Sequence, residues 1–260
     1  MEIGVCVKRT PAVGAQVAIA GDGRHLDTRL LGFTIGPHEE CAVEEAVRIA
    51  ERHRDRGDAA RVTVFTVGPP EAADQLRTAV AAGADAGVLV EADCGDDAEL
   101  DPEATAAALV HGIRAAGAAF DLLLFGTESA VAGHGQVGIR VAHALGLPIV
   151  VGVTAVEETG DGLVLRRRAG GEVEVYRVPT PAAVAVREGL NLPRYPTMPG
   201  RIRARKARLP TVAAPQTAPP GLRTVRLRPP ADERPETVRL GTGAGAAPAV
   251  VDVLERSGVV

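Results

Sequence analysis

Ile3-Gly4-Val5-Cys6-Val7 is a short apolar run ending at Lys8, the pattern of a strand buried on both faces. The loop behind it, Arg9 to Gly23, carries Pro11, Gly14, Gly21 and Gly23. Pro37 opens the clearest helix, predicted over His38–His53. Ala42, Val43, Ala46, Val47 and Ala50 form its apolar face, and Glu44, Glu45, Arg48 and Glu51 are assigned to the opposite, polar face. Proline at the first helical position is pre-organised, and Glu39 and Glu40 complement the helix dipole. Further along, Arg61–Val67 predicts a strand broken by Gly68-Pro69-Pro70, and Glu71–Ala82 a helix closed by Gly83. Ala86–Val90 is a strand, Pro102–Ala116 a helix ended by Gly117, and Asp121–Gly126 the most hydrophobic strand of all. A glycine-containing loop then leads to a helix over Gln136–Leu145, stopped by Gly146 and Pro148.

Strands alternating with helices through short loops predict an α/β fold: a mostly parallel sheet, helices on both faces, right-handed crossovers, Rossmann-like. Ligands of such sheets bind at the carboxyl ends of the strands, which here carry Lys8, Val67-Gly68 and Gly126. After Val150 the pattern changes. Val151–Val156, Gly162–Arg168 and Glu172–Val178 read as an antiparallel meander with tight turns at Gly160-Asp161-Gly162 and Gly170-Gly171, and Thr180 to Val186 returns as a buried strand. Prolines and basic residues dominate from Asn191. Thr211–Pro235 lacks a core-forming pattern and reads as an extended arm lying on something else, and Pro248–Arg256 as a short amphipathic helix.

Composition narrows the function. The 260 residues, 46% hydrophobic, suit one large α/β domain with or without an extension. A net charge of -4 argues against general affinity for nucleic acid, and 2% aromatic content without Trp argues against a base-stacking surface. Cys6, Cys41 and Cys94 are isolated and fit thiols in a reducing cytosol. No apolar run approaches ~18 residues, and no leader pattern precedes the first strand, so a cytoplasmic protein is expected.

Three segments carry candidate chemistry. Thr127 to Gly138 lies at the ligand end of a buried strand. Its glycines allow close backbone approach and the next helix offers free amides, so it is either a phosphate cradle or an ordinary strand-to-helix loop. Phe33 to Glu40 repeats the arrangement at another helix start. Asn191 to Lys206 sets Tyr195 and Met198 among three prolines ahead of a basic stretch, which suits a docking loop with an apolar tip and steering charge, or a solvated basic face. Sparse aromatics weigh against RNA. Of the six histidines, His134 in the glycine loop is the candidate for touching a ligand. His38 opens a helix, His143 lies on one, and His25, His53 and His111 are assigned to the surface. No metal set, Ser-His-Asp order, Walker pattern or GxGxxG is present, so nothing forms a self-contained catalytic centre.

In order along the chain, these segments resemble the β subunit of electron transfer flavoproteins. Val5-Cys6-Val7-Lys8-Arg9 is similar to the family's first strand, and Gly36-Pro37-His38-Glu39-Glu40 with Ala42, Glu44, Glu45 and Ala46 to its first helix. Val67-Gly68-Pro69 and Ala82-Gly83-Ala84-Asp85 are similar to later turns. Glu188-Gly189-Leu190-Asn191 with Pro193-Arg194-Tyr195-Pro196-Thr197-Met198-Pro199-Gly200 resembles its signature. The resemblance implies an electron-carrier subunit rather than an enzyme, paired with an α subunit that holds most of one FAD at the interface. It implies electron delivery from flavin dehydrogenases such as the acyl-CoA dehydrogenase type. Domains follow as an α/β nucleotide-binding-like domain over 1–192 and a recognition loop with a C-terminal arm over 193–260, packing on the partner. AMP contacts carried over by position are Cys6, Gly36, Pro37, His38, Glu39, Val67 and the loop Gly126 to Val137, with Gly133, His134, Gly135 and Gln136. Docking contacts are Tyr195, Met198, Arg203 and Lys206. The sequence departs from the family where acidic residues usually stand: Ala130, Val131, Ala132 and Gly133 occupy those positions, Gly36 replaces an Asn, and Val13 stands near the flavin-facing loop. Carboxylate contacts to AMP are thereby lost while backbone contacts survive. A stand-alone adenine-nucleotide-binding regulatory module and a β-subunit paralogue without AMP remain the alternatives.

Overall fold

The computed structural model describes residues 1–12, 14, 17–92, 100–215, 221–222, 224–229 and 237–260. Val13, Cys94 and much of the arm predicted over Thr211–Pro235 lie outside the described residues. Contacts divide the chain into Met1–Leu227 and Arg228–Val260.

The first unit is built on β1 (Glu2–Cys6), whose uninterrupted apolar run suits the middle of a sheet. The short strands β2 (Arg9–Pro11) and β3 (Phe33–Ile35) pair antiparallel as a separate ribbon, with the Arg9 guanidinium 3.2 Å above the Phe33 ring. Helix α1 (Pro37–Asp55) leads to β4 (Arg61–Gly68), α2 (Ala73–Ala82) to β5 (Ala86–Glu91), and α3 (Pro102–Ala115) to β6 (Leu122–Gly126). After α4 (Val137–Leu145) come β7 (Ile149–Thr159), β8 (Gly162–Ala169), β9 (Glu172–Val178) and β10 (Ala182–Val186), then α5 (Met198–Lys206) and β11 (Thr211–Ala213). The nine-stranded sheet runs β11-β5-β4-β1-β6-β10-β7-β8-β9. All pairs from β11 to β7 are parallel, and the predicted meander β7-β8-β9 is antiparallel. The order reverses at β1: β4 and β5 follow on one side, β6 on the other, which opens a crevice between the ends of β1 and β6, the position where sheets of this kind take ligands.

Side chains alternate across the sheet. Ile3, Val5, Val62, Val64, Leu122 and Leu124 face α1 and α2, whereas Phe65, Leu123, Phe125 and Ala183 face α3 and α4. Phe65 and Phe120 meet edge to face at 5.5 Å. Asp101 caps α3: its carboxylate accepts from the amides of Ala104 at 2.8 Å, Gly221 at 2.8 Å and Leu222 at 3.2 Å, so it also holds the chain at 221–222.

Several sequence expectations need correction. Glu44 and Glu45 are not on a solvated face but 4% and 7% exposed, because the chain at 191–194 lies along α1. His53, assigned to the surface, is half-buried with Nε2 2.8 Å from Glu158 Oε1. The short strands β2 and β11 fall where a loop and an arm are expected, and β3 where an extended run is. Residues 198–213, expected to pack on a partner, lie within the first unit. The α5 helix packs on α2, with Arg203 donating to Val80 O at 2.8 Å and Arg77 to Ala204 O at 3.0 Å, and β11 extends the sheet beside β5. The second unit contains a 3-10 turn, Gly243–Ala246, and α6 (Ala247–Arg256), none of whose residues is buried.

A Cβ at Gly200 would overlap the Ala81 carbonyl oxygen, a backbone atom that cannot swing aside. Gly200→Ala is therefore expected to push α5 off α2 and cost about 2 kcal/mol, the range of overpacked cores. Urea unfolding of the variant checks this, and an unchanged midpoint would contradict the close approach.

Candidate functional site

The crevice between β1 and β6 is roofed by the start of α1. Gly36 is the N-cap in extended conformation (φ -70°, ψ 157°), Pro37 opens the first turn, and Glu39 is the third residue of the helix. A Cβ at Gly36 would overlap Glu39 Oε2. A Cβ at Gly126 would stand 3.0 Å from Glu39 Cγ and Cδ and 3.0 Å from His38 Cβ. Glycine at both positions thus lets the helix start settle onto the end of β6 and brings Gly36, His38, Glu39 and Gly126 together. Glu39 is only 5% exposed, and neither its Oε2 nor His38 Nδ1 has a hydrogen-bond partner. Burial pushes the Glu39 carboxyl up to about 7, while its own amide and the Lys8 charge pull the other way and Glu40 adds to the rise.

Cys6 sits beside Phe65 and Phe125 in the sheet, buried, and burial drives its thiol far above the usual range, so it offers a neutral surface rather than a nucleophile. Val67 is half-buried at the end of β4. The loop after β6 is tied at its root: Thr127 Oγ1 donates toward the carbonyls of Ala185 (3.1 Å) and Val186 (3.0 Å) and accepts from the Gly152 amide at 3.2 Å. Ser129 Oγ accepts from the amides of Ala132 and Gly133 at 3.2 and 3.4 Å. Gly133 (φ 59°) and Gly135 (φ 64°) adopt left-handed conformations that turn the chain toward α4. Val137 packs on the core, Gln136 Oε1 accepts from Arg140 at 3.2 Å, and His134 is exposed. Gly133 and His134 are exposed on this loop, and Gly135 is half-buried. A cavity of about 320 Å³ between the starts of α3 and α4 shares Gln136 with this loop, but its other lining includes Asp101, Glu103 and Arg140 and none of the residues under α1.

The second constellation was only half legible in the sequence. Asn191 Nδ2 donates to Cys41 O at 3.0 Å and to Glu45 Oε2 at 3.1 Å. Arg194 spans two carboxylates, donating to Glu44 at 2.8 Å and to Glu51 at 2.6 and 2.9 Å, and Arg48 donates to Leu192 O at 3.2 Å. Burial alone would raise Glu44, but Arg194 and Arg48 outweigh it and hold the carboxyl below its usual range. Beyond this clamp, Tyr195 is 93% and Met198 69% exposed. Thr197 caps α5, accepting from Gly200 N at 3.1 Å. Lys206 is exposed at the end of α5, whereas the Arg203 guanidinium turns back to α2. The signal for the clamp was present in the sequence as acidic positions spaced along one helix and a lone Arg among prolines.

A Rossmann-like α/β protein with a glycine-lined rim under its first helix, a stiff exposed loop, and no metal-binding cluster among the described residues is the class these features define. A family model described as the electron transfer flavoprotein domain matches residues 26–217. The chain is 37% identical over 214 residues to an electron transfer flavoprotein subunit beta of Syntrophomonas wolfei, covering 82% of this chain and 80% of the relative. It is 31% identical over 205 residues to the human electron transfer flavoprotein subunit beta, covering 79% and 78%. It is 30% identical over 202 residues to the acryloyl-CoA reductase electron transfer subunit gamma of Anaerotignum propionicum, covering 77% and 73%. The chain belongs to the electron transfer flavoprotein family. No helix among the described residues is long and apolar enough to cross a membrane.

Removing Arg194 leaves Glu44 buried with one cation instead of two. Arg194→Ala is expected to cost about 2 kcal/mol near neutral pH. Glu44 is lowered in the folded state, so its contribution is present above its ordinary value of 4.5 and lost as pH falls through the lowered native value. The difference between variant and parent in urea unfolding should therefore shrink toward pH 3, and a constant difference would contradict the assignment.

Proposed function

We propose that this chain is the β half of a heterodimeric electron carrier. An α subunit holds most of one FAD at the shared interface, and the pair takes electrons from flavin dehydrogenases, of the acyl-CoA dehydrogenase type, and passes them to a downstream acceptor in the cytoplasm. The flavin supplies the redox chemistry, and this chain supplies docking and electrostatics without a reaction of its own. The observation that carries the docking assignment is the clamp at Asn191 and Arg194, which fixes the chain on α1 while Tyr195 and Met198 stay exposed. Fixed backbone with an apolar tip loses little freedom on binding, and Arg201, Arg205 and Lys206 stand exposed behind it to steer an acidic partner. Residues 193–260, or the part of them beyond the first unit, are assigned to packing on the α subunit, and the apolar residues Val250 and Val251, 43% and 47% exposed on α6, support this.

The rim under α1 is assigned to a small polar ligand such as AMP. Its residues are Cys6, Gly36 to Glu39, Val67 and the loop from Gly126 to Val137, and the unpartnered His38 Nδ1 and Glu39 Oε2 are the polar atoms a ligand would satisfy. The loop itself brings no carboxylate between Ala130 and Gln136, which favours contact through backbone amides. That same loss supports, as a second reading, a β subunit without AMP.

Co-purification with the α subunit, followed by chromatography of nucleotides released on denaturation, tests the assignment. One FAD per heterodimer is expected, and failure to form a flavin-bearing pair would sink it. Met198→Ala is expected to slow reduction by the dehydrogenase roughly tenfold, the scale of one buried anchor, at unchanged FAD content. Unchanged transfer would remove the docking loop from Met198.

A further inference from the structure

Strand β9 closes the sheet at one edge, and no strand follows it among the described residues. Its pairing with β8 runs from Val178 opposite Leu163 to Glu172 opposite Ala169 without a register shift, so the edge is regular and unbulged. Such an edge offers a row of free backbone donors and acceptors, and proteins blunt it with prolines, bulges or charges unless it is covered. Glu172–Val178 contains no proline and no lysine. Glu174, the charge at mid-strand, is already held, because its carboxylate accepts from the Arg167 guanidinium and the Tyr176 hydroxyl. Val173 and Val175 stand on the other face, 57% and 56% exposed.

The two faces of this corner differ. Leu163, Leu165 and Val178 point into the same core as α1. On the opposite face the register sets Arg168 beside Val173, Arg166 beside Val175 and Arg177 beside Val164, with Ala155 and Glu157 on β7 beyond them. Arg166, Arg168 and Arg177 are exposed, and Glu157, 4.0 Å from Arg166, is the one carboxylate among these positions. A chain of net charge -4 thus gathers three arginines around two exposed valines. We propose that the free edge of β9 and this face form an interaction surface that takes an extended acidic segment of the partner subunit as a further strand. This rests on the heterodimer reading above. The β9 backbone supplies the hydrogen bonds, Val173 and Val175 the apolar contact, and the arginines the charge match. A second copy of this chain is the wrong occupant. Pairing edge to edge about a twofold axis normal to the sheet puts both arginine sets on one continuous face, where like charges repel.

Hydrogen–deuterium exchange on the flavin-bearing heterodimer reads the edge directly. Alternate residues of β9 turn both backbone groups away from β8. Their amides are expected to exchange roughly a hundredfold slower than unstructured chain, and exchange at unstructured rates would overturn the proposal. Sedimentation velocity then measures association of the two subunits. Arg166→Glu with Arg168→Glu is expected to weaken it roughly tenfold at about 30 mM salt and by less at about 0.5 M, where charge is screened. Val173→Asp with Val175→Asp is expected to weaken it at both. An unchanged urea midpoint shows that the variants are folded. Arg166→Gln with Arg168→Gln, which removes the charge without reversing it, gives the same test with a smaller loss if the reversal disturbs the strand. Parent-like association of both arginine variants would overturn the proposal while the heterodimer reading stands. So would a species holding two copies of this chain that Val173→Asp with Val175→Asp abolishes. Absence of any flavin-bearing heterodimer in the parent would remove both.

Discussion

Glu44 is a carboxylate inside a protein, 4% exposed, and an isolated charge there would be untenable. It is tolerable because Arg194 reaches it from 150 residues away in sequence and Arg48 from one helical turn away. The Arg194 fork also takes Glu51, and Asn191 takes Glu45 and the Cys41 carbonyl. One side of α1 is thus made of groups that demand partners from the chain after β10, and that chain can satisfy them only by lying along the helix. The path of 191–194 follows from this, and with it the direction in which the loop leaves the domain. The prolines at 193, 196 and 199 stiffen what the ion pairs anchor.

The other side of α1 is governed by packing. Ala42, Ala46, Ile49 and Ala50 are fully buried against the central strands, and small residues let the helix come down close to the sheet. The same closeness brings its first turn onto Gly126 and Gly36. A helix fixed along its length by core contacts on one side and ion pairs on the other has little freedom to lift its N-terminus, so the rim beneath it is a preformed feature of the fold.

The alternation of strands and helices was legible because each element has an unambiguous period and a glycine or proline at its end, and the meander because glycine pairs sit at its turns. The three-residue strands β2 and β11 were not, since such short segments carry no period and are made strands only by a neighbour. The insertion of β10 between β6 and β7 is a matter of topology, which local pattern does not encode. Glu44 and Glu45 were misplaced for a related reason: amphipathic reasoning assigns charged residues to solvent unless it can see the cation that will cover them, and Arg194 lies 150 residues on. The exposure of Tyr195 and Met198 was legible from the surrounding prolines, but Arg203 was not distinguishable from its basic neighbours until the close packing at Gly200 turned it onto α2.

Exposed apolar side chains are usually slack positions, and Leu30 on the loop between β2 and β3, 97% exposed, shows that the chain contains one outside the segments discussed. Tyr195 and Met198 differ because their backbone is not slack. Arg194 fixes the residue before Tyr195, Thr197 caps the helix that begins at Met198, and Gly200 seats that helix against Ala81. Within seven residues there are three independent restraints, and between them two large side chains held away from the core. The conformational entropy of the loop has thus been lost on folding rather than on binding, so a partner that covers the tip gains nearly the whole of its contact energy. A surface loop with that much internal restraint and no buried purpose of its own is better explained by what it meets than by what it supports.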